Sequence, residues 1–279
     1  GMPALGQIGF LHTADLRDFD AVSRVVREVR PKVVYHFATH GAYPFQTDGE
    51  PILLVNVFGL WNLLQACREA PPDLFVNVGS SSEYGRKTHA MRESDLLEPD
   101  SYYAVAKSAQ TLLARLCARL DDLPVVTLRL FSAYGPWEEP TRLIPRLLMA
   151  ALRDEPIEMA APETARDFVF VDDIVAVCLA ADALRQYPGE TFNVGTGVQR
   201  TLAEVVAATE AAAGKPVRAR WGSMASRPWD SNVWVADVSK LRRLIGMRPD
   251  TPLQTGIARS LDWFDAHRDL YPPRKEGSC

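Results

Sequence analysis

Three short apolar runs, each introduced by a proline and followed by a longer helical pattern, constrain this chain more than any other feature. Residues 33–38, 74–78 and Val125–Leu130 are β-branched or aromatic, and Pro31, Pro72 and Pro124 stand just ahead of them. Runs this short and apolar read as buried strands. Amphipathic stretches at Phe19–Val29, 52–68 and 103–120 separate them. Strand–helix alternation of this kind specifies an α/β fold, a doubly wound parallel sheet with helices on both faces. Phe10-Leu11-His12-Thr13 reads as a further strand ahead of the three.

Beyond Tyr134-Gly135-Pro136 the alternation loosens into a smaller α/β lobe. Helices are expected over Leu143–Arg153, 172–184 and 253–267, strands over 168–171 and 192–194, and an edge strand over 217–221. Thr201 and Glu204 have capping-box spacing: hydroxyl and carboxylate satisfy free amides at a helix start, which places a helix over Leu202–Ala213. The tail, 271–279, is expected to fray.

With 279 residues and a 47% hydrophobic share, the chain can form one large domain or a main domain with a lobe. This composition excludes disordered, collagen-like and disulfide-scaffold classes. A net charge of −4 argues against nucleic acid as the main partner, since phosphate binding needs surplus Lys and Arg. Cys67, Cys117, Cys178 and Cys279 lie far apart, which reads as reduced thiols in a cytoplasmic protein. His36 and His40 straddle a strand end, and no metal site is expected. No apolar run reaches membrane-spanning length, and Gly1-Met2-Pro3 does not open a signal peptide.

The chemistry concentrates in Ser80-Ser81-Ser82-Glu83-Tyr84-Gly85 after one strand and Tyr103-Ala104-Val105-Ala106-Lys107 opening a helix. Tyr and Lys four apart share a helical face. A nearby ammonium stabilises a phenolate, so the tyrosine can exchange a proton near neutral pH. A serine at the end of the neighbouring strand points into the same crevice, where such sheets bind ligands. Two hydroxyls around one carbinol oxygen suit alcohol–ketone interconversion by hydride transfer. Taken alone, Y-x-x-x-K is a weak pattern, equally a half-buried Tyr beside a solvated Lys; the strand-end serine and the surrounding alternation favour the chemical reading.

With these residues in place, the chain resembles the extended short-chain dehydrogenase/reductase family, in the branch of nucleotide-sugar epimerases, dehydratases and 4-ketosugar reductases, from about Asp15 to Phe264. The resemblance implies a Rossmann-like sheet with a C-terminal substrate lobe. It implies that 1–136 with parts of 165–200 bind NAD(P), and that 137–164 with 201–270 bind the nucleotide sugar. Ser80, Tyr103 and Lys107 match the catalytic triad. Asp15-Leu16 resembles the pair that contacts adenine, Phe37-Ala38-Thr39 the strand-end turn against the dinucleotide, and Asn56 the helix asparagine that steadies the central strands. Tyr103, Lys107 and Phe131 complete the implied contacts to the cofactor, NAD, with NADP as the alternative. Leu128-Arg129-Leu130-Phe131-Ser132-Ala133-Tyr134-Gly135-Pro136 resembles R-x-x-N-x-Y-G-P, with Ser132 in place of Asn. Arg166-Asp167-Phe168-Val169 with Asp172-Asp173 resembles the R-D-F/Y-V-x-V-x-D signature, Asn193-Val194-Gly195-Thr196-Gly197 the N-x-G-x-G turn, and Arg227-Pro228 with Asp230 the R-P-x-D loop. Implied substrate contacts are His40, Ser81, Ser82, Ser132, Arg142, Arg166 and Arg227. An arginine fork suits a diphosphate, although Arg166 could instead form a surface ion pair and Arg227 a loop charge. A homodimer is implied through helices 52–68 and 103–120.

Family dehydratases often carry Thr-Asp-Glu at the strand end, where this chain has Ser80, Ser81 and Ser82. Glu83 is displaced by one residue, and in an extended segment that turns it to the opposite side. Dehydration is therefore disfavoured. The triad serves a sugar 4-epimerase and a 4-keto-6-deoxysugar reductase equally, with the epimerase preferred. A third reading, non-catalytic binding of nucleotide sugar, draws on the N-terminus: the family's strand and G-x-x-G-x-x-G loop, which bring pyrophosphate to a helix start, have no counterpart in the sequence. A front part of the sheet is accordingly expected to be missing.

Overall fold

The computed structural model describes residues 10–43, 45–224 and 233–272. In chain order the elements are α1 (Phe19–Val29), β1 (Val33–His36), α2 (Gly49–Leu53), a π-helical stretch (Leu54–Phe58) continuing into α3 (Gly59–Glu69), β2 (Leu74–Ser80), a 3-10 turn (Ser81–Tyr84), α4 (Tyr102–Leu120) and β3 (Val125–Leu130). Then follow β4 (Ser132–Tyr134), α5 (Leu143–Arg153), β5 (Ile157–Glu158), β6 (Ala165–Arg166), β7 (Phe168–Phe170), α6 (Val171–Leu179), α7 (Ala181–Leu184), β8 (Thr191–Val194), β9 (Arg200–Thr201), α8 (Leu202–Ala213), β10 (Ala219–Arg220), α9 (Ser239–Ile245) and α10 (Leu253–Ala266).

Among the described residues the central sheet has four parallel strands in the order β1-β2-β3-β8. Alternation along the strands feeds two cores. Leu74, Val76, Val126, Leu128, Phe192 and Val194 face α6, α7 and α9 through Ile174, Val177, Leu184, Leu241 and Ile245. Phe75 and Val125 face α1, α3 and α4 through Val22, Val26, Leu60, Leu64, Ala114 and Cys117. Apolar strands covered on both sides are the signature of a doubly wound sheet, so the expected fold class holds. A further core joins Tyr134, Ile144, Leu147, Phe170, Val205, Ile257 and Phe264 across α5, α8 and α10.

Several sequence expectations need correction. Phe10-Leu11-His12-Thr13 is not a strand: it pairs with nothing described, and Phe10 and Leu11 lie exposed. The helix over 172–184 is two helices that break at Ala180. Of 217–221 only Ala219–Arg220 pairs, with β5. Tyr271 does not fray; its ring packs on Phe264 and its hydroxyl donates to the Glu138 carbonyl at 2.7 Å. Finally, Gly49–Glu69 is long and apolar enough to cross a membrane by length and composition. Asn56, Gly59, Asn62 and Gln65 interrupt its apolar runs, which hid this in the sequence. Here its apolar residues serve two faces, Leu60 and Leu64 in the core and Phe58 and Trp61 at the surface.

The Thr201–Glu204 capping box forms as expected: Thr201 Oγ1 accepts the Glu204 amide at 3.2 Å, and the Glu204 carboxylate accepts the Thr201 amide at 2.8 Å.

Candidate active site

Parallel strands end on one side, and the chain must leave them through turns whose backbone groups need partners. At the end of β1, Phe37, Ala38 and Thr39 are exposed on that crest. The turn behind them is tied by two side chains: Asn56 Oδ1 accepts the His40 amide at 2.9 Å, Asn56 Nδ2 donates to the His40 carbonyl at 2.7 Å, and Gln46 Oε1 accepts the Gly41 amide at 2.9 Å. Thr39 Oγ1 also reaches Asn56 Oδ1, at 3.3 Å. Asn56 is fully buried in the π-helical stretch, a local widening often found at functional sites. The His40 ring meets Gln46 Nε2 at 3.2 Å.

At the end of β2, Ser80 caps the 3-10 turn. Its Oγ lies 2.8 Å from Ser82 Oγ, and its amide donates to Glu83 Oε1 at 2.8 Å. Tyr103 and Lys107 stand on the first turns of α4, with Lys107 Nζ 5.8 Å from the Tyr103 ring centre. Lys107 is 3% exposed and donates to the Val78 carbonyl at 2.9 Å. Burial brings its pKa down to about 8, with Glu83 pulling the other way. Burial pushes the Tyr103 phenol up, while Ser80, Arg142 and Thr39 favour its phenolate. Ser80, Thr39, Tyr103 and Lys107 thus converge on one spot, and Arg142 acts on it from the start of α5.

Behind the crest, Gln110 Nε2 donates to the Asn56 carbonyl at 2.7 Å and lies 3.4 Å from His36 Nε2. Burial, and then the Lys107 charge, hold His36 down to about 4, so it is neutral around pH 7.

The other expected site residues divide. Ser81 is buried and accepts from Trp234 Nε1 at 3.1 Å, and the Arg166 guanidinium lies 5.0 Å from the centre of a Trp234 ring. Ser132 forms part of β4, its amide donating to the Asp167 carbonyl at 3.0 Å. Arg142 donates to Glu138 Oε1 at 3.3 Å; burial pushes Glu138 up to about 7. The Phe131 ring is buried with Tyr84, Met91 and Trp234. Leu16 packs against α3, its carbonyl held by Asn62 Nδ2 at 2.9 Å. Asp15 is exposed and engaged with Arg17 at 2.6 Å, which holds its carboxyl down to about 2. Arg227, with Pro228 and Asp230, lies outside the described residues. A separate groove of about 590 Å³, lined by Gly197, Asp237, Arg242, Arg243 and Arg248, contains none of the convergent group.

The sequence expectation displaces Glu83 by one residue along an extended segment. The segment is instead a 3-10 turn, and it swings the carboxylate inward: Glu83 is fully buried and accepts from Arg129 Nε at 2.7 Å. The conclusion that it does not face the crevice survives with a different cause. Sequence reading missed this pair, although Ser80-x-x-Glu83 carries the capping-box spacing that marks such a turn.

Comparison with known proteins accords with this geometry. The model of the NAD dependent epimerase/dehydratase family matches residues 3–195. A dTDP-glucose 4,6-dehydratase of Xanthomonas campestris pv. campestris is 30% identical over 274 residues, covering 90% of this chain and 77% of that protein. The structure of MoeE5 in complex with UDP-glucuronic acid and NAD superposes with a TM-score of 0.82 at 32% identity, over 91% of this chain and 85% of that one. A UDP-glucuronic acid 4-epimerase from Bacillus cereus, in complex with UDP-glucuronic acid and NAD, gives 0.81 at 28% identity, over 91% and 81%. The serine, tyrosine and lysine gathered at the strand ends therefore stand in a member of the NAD dependent epimerase/dehydratase family.

Proposed function

We propose that the chain is a nucleotide-sugar 4-epimerase that uses NAD, with Ser80, Tyr103 and Lys107 as its acid–base group. The observation that carries this reading is the placement of Tyr103 on the first turn of α4, its ring 5.8 Å from the buried Lys107 ammonium, with Ser80 at the end of the strand packed on that helix. Solved relatives hold UDP-glucuronic acid with NAD.

The residues present fit the nicotinamide end of such a cofactor: the β1 crest exposes Phe37, Ala38 and Thr39 beside Tyr103. When bound, NAD supplies the acceptor and later the donor of the C4 hydride. This chain's residues handle the proton. Tyr103, as phenolate, takes it from the C4 hydroxyl and returns it after the ketone has turned over. Lys107 lowers the cost of the phenolate, and Ser80 holds the carbinol oxygen. The diphosphate and sugar are assigned to Ser81, Ser82, Ser132, Arg142 and Arg166, with Asp15, Leu16 and Asn56 on the cofactor side. Buried Glu83 leaves this strand end without a carboxylate facing the crevice, which supports epimerisation over dehydration. Residues 1–136 with parts of 165–200 form the cofactor domain in this reading, and 137–164 with 201–270 the substrate lobe. Exposed Phe58, Trp61, Val105, Leu112 and Leu116 on the helices of 49–69 and α4 support a homodimer through them.

The test supplies UDP-glucose or UDP-glucuronic acid and NAD and follows the C4 epimer by chromatography. Epimer formation, abolished in Tyr103→Phe, is expected. NADPH consumption with a 4-keto-6-deoxysugar nucleotide, without epimerisation, would replace the reading by a reductase.

A further inference from the structure

A carboxylate buried within the same molecular layer as two cations demands a reason, because stripping it of water is costly unless its partners repay it. Glu83 is fully buried, Lys107 and Arg129 are each 3% exposed, and the three belong to three different elements. Glu83 Oε1 accepts the Ser80 amide at 2.8 Å, and Oε2 accepts from Thr111 Oγ1 at 2.8 Å and from Arg129 Nε at 2.7 Å. The carboxylate therefore joins the strand end carrying Ser80, the helix carrying Tyr103 and Lys107, and the neighbouring strand β3. The fit is close enough that a Cβ on Gly79 would come within 2.6 Å of Glu83 Oε1. Arg129 in turn lies 4.7 Å from the centre of the Tyr84 ring, and the Tyr84 hydroxyl donates to Asn193 Oδ1 at 2.7 Å on β8.

We propose that Glu83 is a positioning residue for the acid–base group: through Thr111 it sets the distance between Ser80 and the Tyr103–Lys107 helix, and its charge balances Lys107. The inference rests on the epimerase reading only for its assay. The charged and titratable groups around Glu83 are Arg129 from β3, Tyr84 from its own turn, and Tyr103 and Lys107 from α4. Removing the negative charge favours the Tyr103 phenolate and disfavours the Lys107 ammonium.

Thr111→Val and Thr111→Ser leave the buried ion pair intact and test the link. Thr111→Val is expected to lower kcat by about tenfold with KM within about threefold, and Thr111→Ser to restore it. Equal kcat in wild type and Thr111→Val would overturn the positioning role. Glu83→Gln tests the charge without turnover: the phenolate absorbance step assigned to Tyr103, by difference against Tyr103→Phe, should move to lower pH by about half a unit or more. An unmoved step in the folded variant overturns the charge balance; if Glu83→Gln does not fold, the Thr111 pair decides. Should Tyr103→Phe itself remain active, the acid–base reading falls instead, and the two failures are told apart.

Discussion

The ends of β1 and β2 lie side by side on one crest and are built in opposite ways. The β2 end is clamped: the Ser80 turn is closed by a capping box whose carboxylate, Glu83, is also bound to α4 and β3. The β1 end presents Phe37, Ala38 and Thr39 to solvent, and two neutral side chains, Asn56 from the π-helical stretch and Gln46, hold its turn. Groups that exchange protons gain from rigid placement, because misplacement costs rate directly. A surface that receives a large ligand needs area more than stiffness. Under the proposed function, the contrast matches a division of labour between an acid–base group on β2 and α4 and a cofactor-facing crest on β1.

The comparison can be broken where it makes its largest claim. Tyr103→Phe should cost about 10²–10⁴-fold in kcat with nucleotide-sugar binding, followed by calorimetry, nearly unchanged; a loss confined to binding would move the chemistry elsewhere. Next is His36, the buried last residue of β1, held down to about 4 by burial. Below its ordinary value near 6.5 the unfolded chain binds more protons than the folded one, so stability falls as pH drops from 6.5 to about 4. The loss should reach about 3 kcal/mol, and His36→Gln should flatten it in thermal melts across that window. On the β2 side, Gly79→Ala forces a Cβ against Glu83 Oε1, Thr127 and Arg129; about 1–3 kcal/mol of destabilisation is expected from denaturant curves. Thr201→Ala, away from both ends, should cost only about 1 kcal/mol by removing the cap on α8, and sets the scale for an ordinary defect in the same titration.

Local chemistry was legible wherever a pattern and its boundary residues agreed. Phe19–Val29, Val125–Leu130, Leu143–Arg153 and Leu202–Ala213 fall where amphipathic or β-branched periodicity and caps place them. The convergence of Ser80 with Tyr103 followed from strand-end logic. Helix α9 went unread, although Leu241, Leu244 and Ile245 share a face and Gly246, at φ 75°, ends it in the left-handed region. Other features depend on contacts between distant segments, which no local spacing encodes: the Trp234 indole on Ser81, Arg129 Nε on Glu83, the Phe131 ring buried with Tyr84, Met91 and Trp234. Phe10–Thr13 failed for a related reason, since β-propensity is realised only where a neighbouring strand offers its edge.

The π-helical stretch at Leu54–Phe58 widens one turn in the middle of the 49–69 helix. Its first half aims Asn56 at the crest; its second half aims Leu60 and Leu64 at α1 and the sheet. Asn56, Leu60 and Leu64 are four residues apart and fully buried, so one stripe of the rod serves the turn at its front and the core at its back. The turn carrying Thr39 and His40 is therefore anchored to the same buried stripe that holds α1 against the sheet, and slackening the core at Leu60 would be felt at that turn.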